Sequence, residues 1–228
     1  MNKPAGDRLV IFGLSNILSD LLDCALALRL PVSKVVIHHP ENPGERDLSA
    51  TQRMDAYSRF AKPPVLQAFE AFAPEKGELY LLGPTSPERR GLADELVDRF
   101  GLGFTSLVHP SAYVSPLASL SGGVFVGANS VIAPGAELAE HVFINRGVTV
   151  GHDTRIGAYS RVQPGSNLGG LSHIGAGVTI GIGATLLERL IIGDRSVVGA
   201  GAVVLRDVPE DVLVVGTPAV VKKSLTVS

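Results

Sequence analysis

Residues 144–180 read INRGVTVGHDTRIGAYSRVQPGSNLGGLSHIGAGVTI, and an aliphatic residue returns at every sixth position of this stretch. The spacing continues in both directions without an insertion, so that each of sixteen hexads from Val114 to Val204 carries Val, Ile or Leu there. A second position, two residues earlier in each hexad, is mostly small, from Ala112 to Ala202. Neither the 3.6-residue period of an α-helix nor the two-residue period of a strand produces this pattern.

A six-residue unit of this kind is a short strand plus a turn, and it cannot bury its own aliphatic side chain. Stacking many units into a coil places these side chains above one another in one continuous apolar core. Burial of each contributes about 1.5–3 kcal/mol, an upper value because unfolded chains are already partly compact. We therefore assign the repeated aliphatics to the core and look for chemistry among the residues between them.

The hexads resemble those of the hexapeptide-repeat acyltransferases, and the resemblance covers residues 112–222. It implies an all-β, left-handed parallel β-helix with three hexads in each coil, whereas the period alone implies only a stacked coil. With three hexads in a coil, residues eighteen apart lie above one another. This stacking can be read directly from the sequence because the repeat has no insertion.

The chain before His109 alternates between predicted strands and helices. The strands are predicted at residues 9–12, 35–37 and 79–82, and the helices at residues 17–30, 51–61, 65–72 and 87–100. Such alternation implies a small parallel sheet, and the segment resembles the Rossmann-like domain of the same acyltransferases. We predict an α/β Rossmann-like domain over residues 1–108 that binds a sugar nucleotide, followed by the β-helix and a carboxyl-terminal tail over residues 109–228.

Composition argues against several kinds of partner. The 20 Lys and Arg residues are balanced by 22 Asp and Glu residues, for a formal charge of −2, so no nucleic-acid-binding surface is predicted. No apolar stretch approaches the roughly 18 residues of a membrane span, so neither secretion nor membrane insertion is expected. The single cysteine, Cys24, lies in an apolar helical run and is predicted to be buried in a protein of the reducing cytoplasm.

His152 is the candidate for catalysis in the repeat. It follows Val150 by two positions, outside the buried positions and near a predicted corner, with Pro134 beneath it and Gly170 above it. A glycine over the histidine leaves a gap for a thin ligand arm, and an imidazole can accept a proton at neutral pH. Asp153 could orient the ring. From the spacing alone, a merely solvated turn histidine remains an alternative.

The segment from Asn145 to Asp153, NRGVTVGHD, resembles the sugar acetyltransferases of the NeuD/PglD-like group. The resemblance implies a homotrimer in which His152 and Asp153 activate the acceptor, with each site between two subunits. It further implies transfer from acetyl-CoA to the amine or hydroxyl of a sugar, most specifically a nucleotide-linked amino sugar for surface glycan synthesis. A hexapeptide acyltransferase with a non-nucleotide acceptor and a non-catalytic β-helix scaffold remain open.

Coenzyme and acceptor residues follow from the same resemblance. The coenzyme is assigned to Gly170, Ile182, Ala200, Pro218, Lys222 and Lys223. The acceptor is assigned to Gly13, Ser15, Asn16, His38, Gly83, Asn145 and Arg161. Four departures concern the acceptor. The loop from Gly13 to Ile17 is not glycine-rich, and His38-His39 stands where acidic residues are usual. Gly83-Pro84-Thr85 stands where a Gly-Asn-Asn-like turn is expected, and Arg161 stands where a second histidine is common.

No metal is predicted. The repeat contains His141, His152 and His173, but they occupy three different places within the hexad, so they do not match ligands stacked on one edge of a zinc-binding β-helix. His141 and His173 are predicted to be solvated turn residues.

Overall fold

The computed structural model describes residues 7–41, 44 and 46–226. The chain divides into two compact units, one comprising Met1–Thr85 and Arg89–Leu107 and the other Ser86–Glu88 and Val108–Ser228. Among the described residues, no helix is long and apolar enough to cross a membrane.

The first unit is a four-stranded parallel sheet with helices, as the alternating pattern predicts. Its elements are β1 (Arg8–Phe12), α1 (Leu18–Ala27), β2 (Val32–Ile37), α2 (Ala50–Ser58), β3 (Val65–Ala68), a 3₁₀ turn (Phe69–Ala71), β4 (Glu78–Leu82) and α3 (Arg89–Phe100). The strand order is β3-β2-β1-β4, and β1 is paired on both sides. Four consecutive residues of β1, Leu9 to Phe12, are fully buried, which is typical of a central parallel strand.

The helix predicted at residues 65–72 is wrong. Residues 65–68 form β3, which pairs in parallel with β2 from Lys34 opposite Val65 to Ile37 opposite Ala68. The apolar spacing that suggested a helix comes partly from Phe69 and Phe72, which are buried at the 3₁₀ turn. An isolated helix of eight residues is marginal in water, whereas the edge of β2 offers hydrogen-bond partners to an extended backbone.

The second unit consists of short strands wound into a three-sided coil. From Leu107 onward, the structure describes β5 (Leu107–Val108), β6 (Tyr113–Val114), β7 (Ser119–Leu120), β8 (Phe125–Val126), β9 (Val131–Ile132), β10 (Glu137–Leu138), β11 (Phe143–Ile144), β12 (Thr149–Val150), β13 (Arg155–Ile156), β14 (Arg161–Val162), β15 (Asn167–Leu168), β16 (His173–Ile174), β17 (Thr179–Ile180), β18 (Thr185–Leu186), β19 (Ile191–Ile192), β20 (Val197–Val198), β21 (Val203–Val204), β22 (Val212–Val215) and β23 (Val220–Ser224).

These strands form three sheets, which we call faces. The first face contains β5, β8, β11, β14, β17, β20, β22 and β23, the second contains β6, β9, β12, β15, β18 and β21, and the third contains β7, β10, β13, β16 and β19. Strands of successive coils pair in parallel with residues eighteen apart opposite each other, as for Thr149 and Asn167. The final pair, β22 and β23, is antiparallel. The three-hexad coil is therefore confirmed.

The repeated aliphatics form the core of this coil. Fourteen of the sixteen are buried, and the two partly exposed ones, Val114 and Leu120, belong to its first turn. Buried serines at the second hexad position bond to the backbone of the neighbouring coil. Ser160, for example, donates its hydroxyl to the oxygen of Gly175 at 2.7 Å and accepts from the nitrogen of Val178 at 2.9 Å. Such bonds satisfy polar groups that would otherwise be costly to bury.

Turns join the faces at three corners. In the central coil the first corner, residues 145–148, leads from the first face to the second, the second corner, residues 151–154, leads to the third face, and the third corner, residues 157–160, returns to the first face. Each of these turns places a residue in the left-handed backbone region. Gly147 does so at the first corner, and Asp153, with φ 55°, does so at the second.

Predictions for three further residues have mixed outcomes. Cys24 is buried and forms no disulfide within the described part of the chain, as predicted. His173 is exposed but lies in β16 rather than in a turn. The prediction that His141 is solvated is wrong, because its side chain is only 6% exposed and its ring stacks on Tyr159 with centroids 4.9 Å apart. Tyr159 lies eighteen residues later and covers the ring from the next coil.

Candidate active site

His152 and Asp153 form a hydrogen-bonded pair at the second corner. Nδ1 of His152 lies 2.8 Å from Oδ2 of Asp153, and each side chain is 57% exposed. An ionised carboxylate can only accept a hydrogen bond, so Nδ1 carries the hydrogen and the lone pair of the neutral ring lies on Nε2. Within the described part of the chain, Nε2 makes no hydrogen bond. His152 can therefore act as a base through Nε2, while Asp153 holds Nδ1 on the opposite side of the ring.

Glycines in the neighbouring coils make room for both side chains. A Cβ added to Gly170 would lie 2.8 Å from Cδ2 and Nε2 of His152, and one added to Gly135 would overlap Oδ1 of Asp153. The ring of His152 thus lies directly over Gly170, and the surface beside Nε2 at this glycine is called the notch below. The backbone is fixed on both sides, since the nitrogen of Leu171 donates to the oxygen of His152 at 2.8 Å and that of Asp153 donates to the oxygen of Pro134 at 3.0 Å.

Gly170 also offers a backbone donor at the notch. Its oxygen accepts from the nitrogen of Arg189 at 2.9 Å, whereas its own N–H makes no hydrogen bond to any residue that the structure describes. An N–H group near a reacting carbonyl can stabilise a developing oxyanion. The notch thus brings a base and a donor together.

Five of the six residues assigned to the coenzyme lie either at the first corner or in the β22–β23 hairpin. Ile182 and Ala200 are exposed eighteen residues apart, and the oxygen of Ile182 accepts from the nitrogen of Gly201 at 2.8 Å. Pro218 is exposed in the turn between β22 and β23. Lys222 and Lys223 follow in β23, which is exposed throughout. We call these five residues the coenzyme strip.

The sixth coenzyme residue, Gly170, is not part of this strip. It lies at the second corner with His152, whereas Ile182 lies at the first corner. One chain therefore does not bring the coenzyme strip and the notch together.

Three residues assigned to the acceptor meet at the carboxyl ends of β1 and β4. The hydroxyl of Ser15 donates to the oxygen of Gly83 at 2.8 Å, and a Cβ at Gly83 would collide with the backbone of Gly13. Asn16 is exposed next to them, and its Nδ2 donates to Oδ1 of Asp47 at 3.0 Å. In open α/β sheets this edge is where ligands bind.

His38 lies at the end of β2 and pairs with α3. Its Nε2 is 3.0 Å from Oε2 of Glu95, and its ring stands edge-on to Phe69 with centroids 4.8 Å apart. The hydrogen bond with His38, assisted by one from Arg99, lowers the pKa of the Glu95 carboxyl. A helix thus supplies the carboxylate that the strand end lacks. The sequence does not reveal this role of Glu95, because Glu95 is 57 residues from His38 and no motif links the two.

The remaining two acceptor residues lie elsewhere on the coil. Asn145 is buried at the first corner, where its Nδ2 donates to Oε1 of Gln163 at 3.3 Å and its Oδ1 accepts from the nitrogen of Arg146 at 2.8 Å. Arg161 lies on the first face, and its Nε donates to Oγ1 of Thr179 at 3.0 Å. Burial lowers the pKa of Arg161, against a smaller effect from Glu88. Neither residue reaches the second corner.

Gly135 contacts the His152–Asp153 pair but is not among the residues predicted for the site. It precedes Asp153 by eighteen residues, so the same stacking that identified Gly170 could have found it. In the described ranges, no group of three His, Cys, Asp or Glu side chains is arranged to hold a metal ion.

Two hexapeptide families match the repeat. "Bacterial transferase hexapeptide (six repeats)" matches residues 172–206, and "Hexapeptide repeat of succinyl-transferase" matches residues 147–182. No curated protein matches the sequence significantly.

Solved structures match nearly the whole chain. A histidine-to-asparagine mutant of perosamine N-acetyltransferase from Caulobacter crescentus, in complex with CoA and GDP-perosamine, is 27% identical with a TM-score of 0.81, and the match covers 96% of this chain and 99% of that one. The acetyltransferase domain of PglB from Neisseria gonorrhoeae is 25% identical with a TM-score of 0.78, covering 96% and 100%. WeeI from Acinetobacter baumannii, at 22% identity and a TM-score of 0.68 over 94% and 99%, shares the fold.

The two family models match only the repeat of the second unit. The solved structures match the first unit as well, since they cover 96% of the chain. The winding of the coil is then the left-handed one of this fold. The chain therefore carries a hexapeptide repeat and is similar over nearly its whole length to sugar acetyltransferases of the hexapeptide-repeat fold, the group that the sequence resembles.

Proposed function

We propose that this protein transfers the acetyl group of acetyl-CoA to the amine of a nucleotide-linked amino sugar. The observation that carries the proposal is the His152–Asp153 pair, with Nε2 open beside the notch at Gly170. The similar perosamine N-acetyltransferase, whose structure contains CoA and GDP-perosamine, supports the choice of both substrates.

The reaction follows from the protonation state of the pair. The neutral amine attacks the thioester carbonyl while Nε2 of His152 accepts a proton from the attacking nitrogen. The N–H of Gly170 stabilises the oxyanion of the tetrahedral intermediate. Collapse of the intermediate forms the amide, breaks the carbon–sulfur bond and expels CoA as a thiolate, which takes the proton from the imidazolium. Asp153 stabilises that imidazolium and keeps Nε2 directed outward.

We place acetyl-CoA along the coenzyme strip. Exposed Ile182 and Ala200 offer a narrow edge for the pantetheine arm, and Lys222 and Lys223 offer two positive charges for coenzyme phosphates. Because the strip and the notch lie at different corners, the thioester of a coenzyme bound to one chain would reach His152 of another. A closed homotrimer, in which each site uses two chains, satisfies this requirement.

We place the sugar nucleotide at the carboxyl edge of the first sheet, next to Gly13, Ser15 and Gly83. Asn16 and His38 complete the proposed edge, whereas Asn145 and Arg161 remain predicted acceptor contacts. Cytoplasmic location is also part of the proposal, since a buried reduced Cys24 suits that compartment.

The test is an acetyl-transfer assay with a panel of acceptors. The protein is incubated with acetyl-CoA and GDP-, UDP- or dTDP-linked amino sugars, with the free sugars and hydroxyl analogues as matched controls. We expect thiol release and an N-acetylated product with at least one nucleotide-linked amine. Turnover of free sugars alone would favour a non-nucleotide acceptor, and neither turnover nor acetyl-CoA binding would favour a scaffold.

The shared site has its own test. His152→Asn lacks the base, and Ala200→Tyr blocks the coenzyme strip, so each variant alone should be inactive. If sites use two chains, a co-refolded equal mixture should regain about one quarter of wild-type sites. No recovery in a mixture that forms normal trimers would place each site within one chain.

A further inference from the structure

The first unit contains a cavity of about 560 Å³ at the amino ends of its strands. Its lining includes Arg8 of β1, Val32 of β2 and Val65 of β3, together with residues at the ends of α1 and α2. The proposed acceptor residues lie at the opposite, carboxyl edge of the same sheet, so the cavity is separate from them. Its volume is within the range of small-molecule sites, about 300–1,000 Å³.

Apolar side chains form most of the cavity wall. Leu26 and Leu30 line it from α1 and the residues that follow, Phe60 lines it from the α2–β3 connection, and Val65 lines it from the start of β3. Phe60 is 77% exposed and Val65 is 61% exposed, so large apolar groups face solvent here. A concave, exposed apolar surface of this kind marks a binding site.

All charged residues that line the cavity are basic. Arg8 is neutralised, because its guanidinium lies 2.6 Å from Oε2 of Glu75. Arg29 and Lys62 are exposed, and in the described ranges their side chains make neither an ion pair nor a hydrogen bond. Two uncompensated positive charges beside an apolar wall favour an anion that also has apolar surface.

We propose that this cavity binds a small anionic amphiphile, a carboxylate or similar head group on an apolar body. The head group lies at Arg29 and Lys62, and the apolar body packs against Leu26, Leu30 and Phe60. A purely polar anion would leave these apolar side chains in water, and a cationic amphiphile would face two like charges. The site does not depend on the proposed acetyl transfer.

Calorimetric titration of the full chain with decanoate, kept below its micelle concentration, tests the proposal. Decyltrimethylammonium, with the same chain length and the opposite charge, is the matched ligand control. We expect saturable binding of one decanoate per chain, and binding of the cation at least about ten-fold weaker. Arg29→Gln and Lys62→Gln should each weaken decanoate binding about two- to five-fold, as is typical of exposed charge contacts.

Two further variants locate the ligand. Ala61→Trp fills the cavity and should abolish binding, and Phe60→Ser removes an exposed apolar contact without disturbing the core, so it should weaken binding even if Ala61→Trp fails to fold. Arg90→Gln, an exposed change on α3 outside the lining, should leave binding unchanged. No decanoate binding, equal binding of both amphiphiles, or binding that is indifferent to Phe60→Ser would overturn the proposal.

Discussion

Replacing Gly170 by alanine tests the notch beside His152 directly. The new Cβ would lie 2.8 Å from Nε2, whereas ordinary contacts begin at 3.4 Å, so the imidazole must move by about 0.6 Å to restore an ordinary contact. A displacement of about 1 Å at a reacting group costs about 100-fold in rate, or about 2.7 kcal/mol in activation free energy. We therefore expect kcat/KM for acetyl transfer to fall about 100-fold.

The fold should tolerate this substitution. Gly170 has no positive φ, the ring that must move is more than half exposed, and the backbone oxygen of His152, 3.0 Å from the new Cβ, needs to shift by only a few tenths of an ångström. We expect a stability loss of about 1 kcal/mol or less, equivalent to about 2–4 °C in Tm. Steady-state kinetics and thermal melts measure both effects.

Gly91→Ala is the matched control, because Gly91 lies on α3 with nothing within 4 Å of an added Cβ. Its activity should equal that of the wild type. Activity of Gly170→Ala within about three-fold of wild type would refute the notch as the place where the thioester meets the base. If the Tm of Gly170→Ala fell by much more than about 2–4 °C, its lost activity would have to be explained by disturbed packing of the coil.

Three further predictions concern groups in the second unit. Asp153→Asn should lower kcat about ten- to 100-fold in steady-state assays without unfolding the protein, since an amide no longer enforces one imidazole tautomer; a two-fold change or less would exclude this role. Exchanging Lys222 and Lys223 together for Gln should raise the KM for acetyl-CoA several-fold at constant kcat, with a smaller difference at high salt; an unchanged KM would contradict the phosphate contacts. Arg195 lowers the pKa of Asp211 through a side-chain hydrogen bond of 2.7 Å between Nε and Oδ1, so this pair's stabilisation is complete above the carboxyl's unfolded pKa, about 3.9, and is lost as pH falls through the lower folded value. In thermal melts between pH 7 and 2, the Tm of the wild type should fall more steeply with decreasing pH than the Tm of Arg195→Gln. Equal slopes of Tm against pH would contradict a stabilising role for this ion pair.

The β-helix could be predicted because one residue type repeats at a fixed period. Each coil buries the same hexad positions, so the period of six and the absence of insertions determine which residues stack. Gly170 above His152 follows from that arithmetic, and the structure shows the contact. The same arithmetic separates Ile182 from Gly170, since a difference of twelve residues is two hexads and therefore a different corner.

Other features depend on contacts that no period records. The carboxylate beside His38 comes from Glu95, 57 residues away on α3. His141 is buried because Tyr159 happens to cover it, and a hexad position alone does not distinguish an exposed corner from a covered one. The strand at residues 65–68 likewise forms because an adjacent strand edge is free to pair, which local apolar spacing does not reveal.

The rate of a single turnover by His152→Asn tests the central claim most directly. Enzyme in excess over a nucleotide-linked amino sugar is mixed with saturating acetyl-CoA, and the acetylated product is followed by rapid quench. Removing the proton acceptor should slow the chemical step by about 10²–10⁴-fold, while Tm and the affinity for acetyl-CoA stay within error of wild type. A rate within ten-fold of wild type would show that another group accepts the proton and that the imidazole at the second corner is not the base.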